Sequence, residues 1–258
     1  MSNQPRPKKK LGQHWLNDDV ALDAMVEAAK VKGGDTVLEI GPGTGLLTEK
    51  LLARNSSVIA LEYDKHWADE LWNRYKKHKN IEVVHGDIRK YHLTNLAKDY
   101  KIVANIPYYL TANLLRKLVD TNNKPSTAAL LIQKEVAHRI AAKPGDLSLI
   151  AVLVQLFYSV RLSIEVPSEL FDPAPKVDSQ ILILKRLKMP QFQPTDELFR
   201  VIKAGFSQKR KKIKASLSGG LHISKHQAIK MLDLAKIDPN KRPQELTIQD
   251  WHRLSTTL

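Results

Sequence analysis

Three carboxylates and one carboxamide stand at the ends of short apolar runs in the first half of the chain. Glu39 follows Val37-Leu38, Glu62 follows Val58-Ile59-Ala60-Leu61, Asp87 follows the run 81–85 and Gly86, and Asn105 follows Ile102-Val103-Ala104. Between the first two lies Gly41-Pro42-Gly43-Thr44-Gly45, with glycine at every second position and helical spacing from Leu46 to Leu52. Strand, glycine turn and helix form the geometry that holds a nucleotide-like ligand at the carboxyl edge of a parallel sheet. Glycine suits such a turn because it tolerates positive φ and lets backbone approach a ligand without a Cβ. Glu62 lies about 20 residues beyond the loop, where an acid grips ribose hydroxyls. Asp87 is suited to accept a hydrogen bond from an exocyclic amine such as that of adenine.

The spacing discriminates among nucleotide-like ligands. A phosphate-binding loop for ATP needs Gly-Lys-Ser/Thr after its glycines, and here Gly45 is followed by Leu46-Leu47. The dinucleotide fingerprint has its third glycine one position later than Gly45. Glu39 beside the loop is a poor neighbour for pyrophosphate and an acceptable one for a cationic nucleoside. S-adenosyl-L-methionine, adenosine joined to a sulfonium and an ammonium, is that ligand. The tetrapeptide Asn105-Ile106-Pro107-Tyr108 then points to the acceptor. The lone pair of an adenine amino group is delocalised into the ring, and acceptors on its two N–H bonds draw the nitrogen towards sp³ geometry. The Asn105 oxygen and a backbone carbonyl of Ile106-Pro107 suit that task, with Pro107 stiffening the turn and Tyr108 stacking on a base taken out of its stack.

These residues need a sheet to position them. Apolar runs at 37–40, 58–61, 81–85, 102–104, 128–132, 160–166 and 180–184 give seven strands, the last two read as an antiparallel pair. The helical spacings between them argue for a mostly parallel sheet covered on both faces. Leu11 to Leu16 is too short and mixed to form an element of its own, and Asn17 or Asp18 caps a first helix. Composition changes near Met189-Pro190, after which only helix-like segments follow, at about 197–206, 209–217, 225–234 and 248–254. Gly219-Gly220 and Asp238-Pro239 punctuate them. The expected division is therefore a sheet domain over 1–188, with a basic amino-terminal arm, and a small all-helical domain over 189–258.

Charge points to the partner. Forty-one Lys and Arg against 27 Asp and Glu give +14, an excess that favours a polyanion, nucleic acid before membrane. Seven basic residues and no acidic one fall within 200–214, a density suited to phosphate contacts. No run approaches the roughly 20 apolar residues of a membrane helix. No apolar signal core follows the basic first ten residues. With no cysteine, thiolate chemistry is excluded, and a cytoplasmic protein with no membrane partner is expected. The histidines at 66, 78, 138 and 222 form no metal-like spacing, so no metal is expected.

Several blocks together resemble the ribosomal RNA adenine dimethyltransferases, specifically those of the small subunit. They are Lys10-Leu11-Gly12-Gln13-His14-Trp15-Leu16, Leu38 to Gly45, Glu62, Gly86-Asp87, Asn105-Ile106-Pro107-Tyr108-Tyr109, Gln133-Lys134-Glu135-Val136, Phe171 to Ser179, Phe206 to Lys211, and Arg242-Pro243-Gln244-Glu245-Leu246. The resemblance implies a Rossmann-like class I methyltransferase domain. It also implies N6,N6-dimethylation of two adjacent adenosines near the 3′ end of small-subunit (16S) ribosomal RNA, with S-adenosyl-L-methionine as donor, and a part in subunit biogenesis. Position by position, Gln13, His14 and Leu16 line the donor site, Gly41 and Gly43 meet the methionine part, Glu62 the ribose, and Asp87 with Ile88 the adenine. Asn105 contacts donor and target, Pro107 shapes the catalytic turn, and Tyr108 and Phe171 sandwich the target base. Lys209, Arg210, Lys211, Lys212 and Lys214 bind RNA. The partner implied is the small ribosomal subunit with its RNA, and the chain acts as a monomer. The family often has Asn-Phe where His14-Trp15 stand, and an aromatic where Pro144 precedes Gly145.

Three rivals remain on the residues alone. A related resistance enzyme methylates an adenine of large-subunit RNA, a ribosome-assembly factor would mainly bind, and a DNA adenine methyltransferase usually carries proline where Ile106 stands.

Overall fold

The structure, a computed structural model, describes residues 12–189, 192–208 and 210–258. The basic arm at 5–10 and Lys209 lie outside the described residues. The chain forms two compact units, one of residues up to Ala137 with Ser159–Arg186, the other of His138–Tyr158 with Leu187–Leu258.

The first unit holds a seven-stranded sheet in the order β4-β3-β2-β5-β6-β9-β7. The strands are β2 (Thr36–Ile40), β3 (Ser57–Glu62), β4 (Ile81–His85), β5 (Lys101–Asn105), β6 (Thr127–Gln133), β7 (Tyr158–Val166) and β9 (Ser179–Arg186). The pairs β2/β3, β3/β4, β2/β5 and β5/β6 are parallel, and β9 runs antiparallel to β6. The central strands are mostly apolar because both faces are covered: Val37, Leu38, Ile102, Val103, Ala104 and Ala128 to Ile132 are fully buried. Burial of each large aliphatic side chain contributes about 1.5–3 kcal/mol. Chain order reverses between β2 and β5, so the crevice above their carboxyl ends is where such a sheet takes its ligand. The register places Glu39 opposite Ala60 and Val103, and Asn105 opposite Leu131.

Helices α1 (Asp19–Ala28), α2 (Leu46–Leu52), α3 (Lys65–Tyr75), α4 (Thr111–Asp120) and α5 (Lys134–Ile140) separate the strands. Asp18 caps α1 by accepting from the Ala21 N–H at 2.7 Å, and Asp64 caps α3 by accepting from the His66 N–H at 3.1 Å. Each satisfies an end-of-helix donor that has no intrahelical partner. The segment that the sequence left without an element does form one: β1 (Trp15–Leu16) pairs antiparallel with β8 (Phe171–Asp172), Trp15 opposite Asp172 and Leu16 opposite Phe171. Two residues carry too little periodicity to be seen, and their partner lies far along the chain.

The second unit contains α6 (Leu149–Gln155), α7 (Asp196–Gly205), α8 (Ile213–Leu221), α9 (Lys225–Leu234) and α10 (Ile248–Ser255). Residues 138–158, which the sequence assigned with the sheet, group here. The N–H groups of Gly145 and Leu147 donate to the Gln244 carbonyl at 2.9 and 3.3 Å. Trp251 of α10 is fully buried, and a Cβ on Gly205 would lie 2.4 Å from its ring. Gly219-Gly220, expected to break the chain, sits inside α8. A Cβ at Gly220 would come within 2.5 Å of the Ala204 backbone, so the glycine is there to let α7 and α8 approach. Helix α8 begins at Ile213 and not at 209; Lys212 is its extended N-cap residue.

Candidate active site

The glycine loop is fixed from both sides before any ligand arrives. The Gly41 N–H donates to the Leu61 carbonyl at 2.9 Å, and the Gly45 N–H to Pro42 at 2.9 Å. Gly41, Gly43 and Gly45 have φ of 69°, 52° and 87°, a region that costs other residues roughly 1–2 kcal/mol. Space reinforces the requirement at the last two. A Cβ on Gly43 would stand 3.1 Å from Trp15 Nε1, and one on Gly45 would stand 2.9 Å from Leu71 Cδ2. The Arg74 guanidinium closes the outer side by donating to the Thr44 carbonyl at 2.8 Å.

Two carboxylates lie beneath this loop. Glu62 is 5% exposed and accepts from the backbone N–H groups of Gly43 at 3.1 Å and Asp64 at 2.7 Å. Burial raises its pKa, with those two donors pulling the other way. Glu39 is 1% exposed; its Oε2 accepts from the Thr48 hydroxyl at 2.6 Å, and its Oε1 has no partner. Burial pushes Glu39 up to about 8, against the Thr48 hydrogen bond and with help from the negative charge of Glu62. A buried, half-satisfied carboxyl beside a glycine cradle is suited to a cationic group, whose arrival supplies the missing partner.

At the end of β4, Asp87 is gripped by Arg89 through Nε at 3.0 and 2.9 Å and through Nη2 at 2.6 Å. That fork holds the Asp87 carboxyl below its ordinary pKa. Gln13 reaches Asp64 at 3.4 Å.

The acceptor side is assembled from remote pieces. Asn105 ends β5, and its Nδ2 donates to the His14 carbonyl at 3.0 Å. Its Oδ1 is therefore the acceptor end left for another group. The Ile106 N–H donates to Leu131 at 3.2 Å and the Leu110 N–H to Pro107 at 2.9 Å, which tightens the turn after the strand. The Tyr108 hydroxyl meets Ser179 Oγ at 2.9 Å, and its half-buried ring lies 6.0 Å from the His14 ring at 23°. His14 Nδ1 contacts the Pro173 carbonyl at 2.6 Å.

One pocket gathers Gln13, His14, Leu16, Gly41, Gly43, Glu62, Asp87, Ile88, Asn105, Pro107, Tyr108 and Phe171. Phe171 differs from the rest. It is 5% exposed and belongs to the same buried cluster as Leu16, Leu22 and Ile181, so in this conformation it does not offer a free ring face. Sequence reasoning missed Trp15, Tyr63, Arg89 and Tyr109, which also line the pocket. Tyr63 and Tyr109 are 52% exposed; Tyr63 had adjacency to Glu62 as its signal, and Tyr109 its place in the block that begins at Asn105. Of the basic cluster, Arg210, Lys211 and Lys212 are exposed, and Lys212 and Lys214 both donate to Asn240 Oδ1, at 3.2 and 3.0 Å. Among the described residues no group of histidine and acidic side chains is arranged to hold a metal, and no helix is long and apolar enough to cross a membrane.

Comparison with known proteins decides the family. The family model described as ribosomal RNA adenine dimethylase matches residues 5–258. The chain belongs to the ribosomal RNA adenine dimethylase family. A relative from Clostridium acetobutylicum named ribosomal RNA small subunit methyltransferase A is 36% identical over 260 residues, covering 98% of this chain and 94% of the relative. A solved dimethyladenosine transferase from Plasmodium falciparum is 32% identical with a TM-score of 0.78, covering 93% of this chain and 96% of that one. The solved 23S rRNA methyltransferase ErmE is 27% identical with a TM-score of 0.77, covering 95% and 99%. A dimethyladenosine transferase and a 23S rRNA methyltransferase thus share this architecture, and fold alone does not separate their substrates. The expected α/β fold, a seven-stranded, mostly parallel sheet of the class I methyltransferase kind followed by helices, is the one found.

Proposed function

We propose that this chain transfers methyl groups from S-adenosyl-L-methionine to N6 of two adjacent adenosines near the 3′ end of small-subunit ribosomal RNA, dimethylating each. The orientation of Asn105 carries the reading: its amide N–H is committed to the His14 carbonyl, which leaves an oxygen to accept from the target amino group. The donor fits the observed pocket. The glycine loop has no room for Cβ atoms at Gly43 and Gly45, and Glu39 Oε1 is a buried acceptor without a partner. Gln13, His14, Leu16, Gly41 and Gly43 hold the amino-acid end, Glu62 the ribose, and Asp87 and Ile88 the adenine.

When bound, the donor supplies a methyl group on a positively charged sulfur. The chain's own residues supply position and electrostatics. Asn105 Oδ1 and a carbonyl of Ile106-Pro107 accept the two N–H bonds of the target, turning its lone pair out of the ring system. Pro107 keeps the turn in place, and Tyr108 stacks on the extruded base, with Phe171 on the other face once its segment yields. Ring stacking is worth about 1–3 kcal/mol per base. After the first transfer one N–H remains, and one acceptor serves the second. The methylated amine is acidic enough to release its proton to water, so no strong base is required.

The first unit acts as the methyltransferase domain and the second as the RNA-binding domain, where Lys209, Arg210, Lys211, Lys212 and Lys214 meet phosphates. The protein works as a cytoplasmic monomer on the small subunit and takes part in its biogenesis. Relatives at about 36% identity named for the small subunit favour that substrate over the large subunit, and the run Phe171-Asp172-Pro173-Ala174-Pro175-Lys176-Val177-Asp178-Ser179 points the same way. The test is to offer purified small and large subunits with labelled donor: label confined to small subunits supports the reading, and label in large subunits replaces it.

A further inference from the structure

The β1–β8 ladder is two residue pairs long. With Trp15 opposite Asp172, the next residues along the two strands are His14 and Pro173. The Asn17 N–H bonds the Leu170 carbonyl, so by the alternation of an antiparallel pair His14 and Pro173 face each other where no backbone hydrogen bond is made. Two side-chain bonds take its place. The His14 ring bonds the Pro173 carbonyl at 2.6 Å through Nδ1, and the His14 carbonyl accepts from Asn105 Nδ2 at 3.0 Å. The same ring lies beside that of Tyr108. A single residue therefore touches the amide that would hold the target amine, the ring that would stack on the base, and the segment that follows Phe171.

Resting on the adenine-methylating reading of this pocket, we propose that His14 is a positioning residue: by donating from Nδ1 to the Pro173 carbonyl it holds its own carbonyl where Asn105 needs it, and so fixes the Phe171 segment and the Asn105 amide in one geometry. A carbonyl oxygen can only accept, so Nδ1 carries a proton in this contact. Side-chain length then decides which substitute can work. The amide nitrogen of asparagine occupies about the position of Nδ1, whereas that of glutamine reaches about as far as Nε2. Misplacement of a reacting group by about 1 Å can cost on the order of 100-fold in rate.

The experiment compares His14→Asn, His14→Gln and His14→Ala with the wild-type chain. In the ligand-free protein, ¹⁵N spectra of the His14 imidazole report the tautomer, and hydrogen exchange reports the Asn17 N–H, which donates to Leu170 at 3.0 Å beside the ladder. Turnover on small subunits then separates kcat from KM. The proposal expects a protonated Nδ1, an Asn variant whose exchange at Asn17 stays near wild type, and Gln and Ala variants with faster exchange and kcat lowered about 10- to 100-fold. An Nε2–H tautomer, or Asn and Gln variants that behave alike, overturns it. A wild-type chain that methylates neither subunit refutes the underlying reading instead, while the spectra and exchange still judge the tether.

Discussion

The two ends of the pocket are built differently. The donor end is made from neighbours in sequence: the Glu39–Thr48 bond spans 9 residues, Gly43 to Glu62 spans 19, and Arg74 to Thr44 spans 30. The acceptor end is made from strangers: Asn105 to His14 spans 91 residues, Tyr108 to Ser179 spans 71, and His14 to Pro173 spans 159. A local site forms whenever strand, loop and helix fold together. A site tied across the whole unit forms once the sheet is complete, and its geometry depends on segments far apart in the chain. The donor end should therefore resist changes at the acceptor end, while chemistry should not.

The largest expected effect is that of Asn105→Ala. Loss of one preorganised group at a developing charge costs about 10²–10³ in kcat, so methyl transfer should be nearly abolished while donor binding, followed by calorimetry, largely survives. Near-normal turnover would dissolve the distinction between the two ends. Gly43→Ala strikes the other end. A side chain at φ 52° and 3.1 Å from Trp15 should weaken donor binding about tenfold, which calorimetry would register with kcat at saturating donor less affected. Equal losses in both quantities would mean that the loop also sets the chemistry.

Glu39 gives the donor end a pH signature. Its pKa is raised from 4.5 to about 8 by burial, so between those values the folded protein holds a proton that the unfolded chain has lost. Its contribution to stability is fully present below pH 4.5 and is lost, on the order of 1 kcal/mol per pH unit, as pH rises towards 8. Urea denaturation of ligand-free protein from pH 5 to 8 should show that decline. Glu39→Gln, which mimics the protonated form, should flatten it. Parallel pH profiles for the two proteins would contradict the burial argument.

The smallest effects belong to the basic cluster. Replacing Arg210 or Lys211 by alanine should weaken RNA binding modestly and reduce the slope of log K against log salt by about one per lost phosphate contact. Binding titrations between about 50 and 200 mM salt, across the range where such contacts respond most, would show this. An unchanged slope would assign these side chains to the solvated surface.

The same contrast explains what could be read in advance. Glycine at every second position after an apolar strand, an acid at the next strand end, and alternating helical and extended spacing are local patterns, and they were legible because local physics creates them. The pairing of Trp15-Leu16 with Phe171-Asp172 was not, since neither segment has a periodicity of its own and the constraint is a distant partner. The same holds for residues 138–158, whose spacing announces helix without saying which unit the helix joins. Gly219-Gly220 was misread for a related reason: glycine usually interrupts a helix, and here close packing against Ala204 makes it necessary. Phe171 was placed at the pocket by resemblance, while its burial in the ladder's cluster could be learned from coordinates alone.

The decisive experiment treats unmethylated small subunits with the protein and S-adenosyl-L-methionine and maps N6,N6-dimethyladenosine along the RNA. Two adjacent dimethylated adenosines are expected near the 3′ end, absent with Asn105→Ala. Modification elsewhere, a single methyl per adenosine, or methylation confined to large-subunit RNA would contradict it.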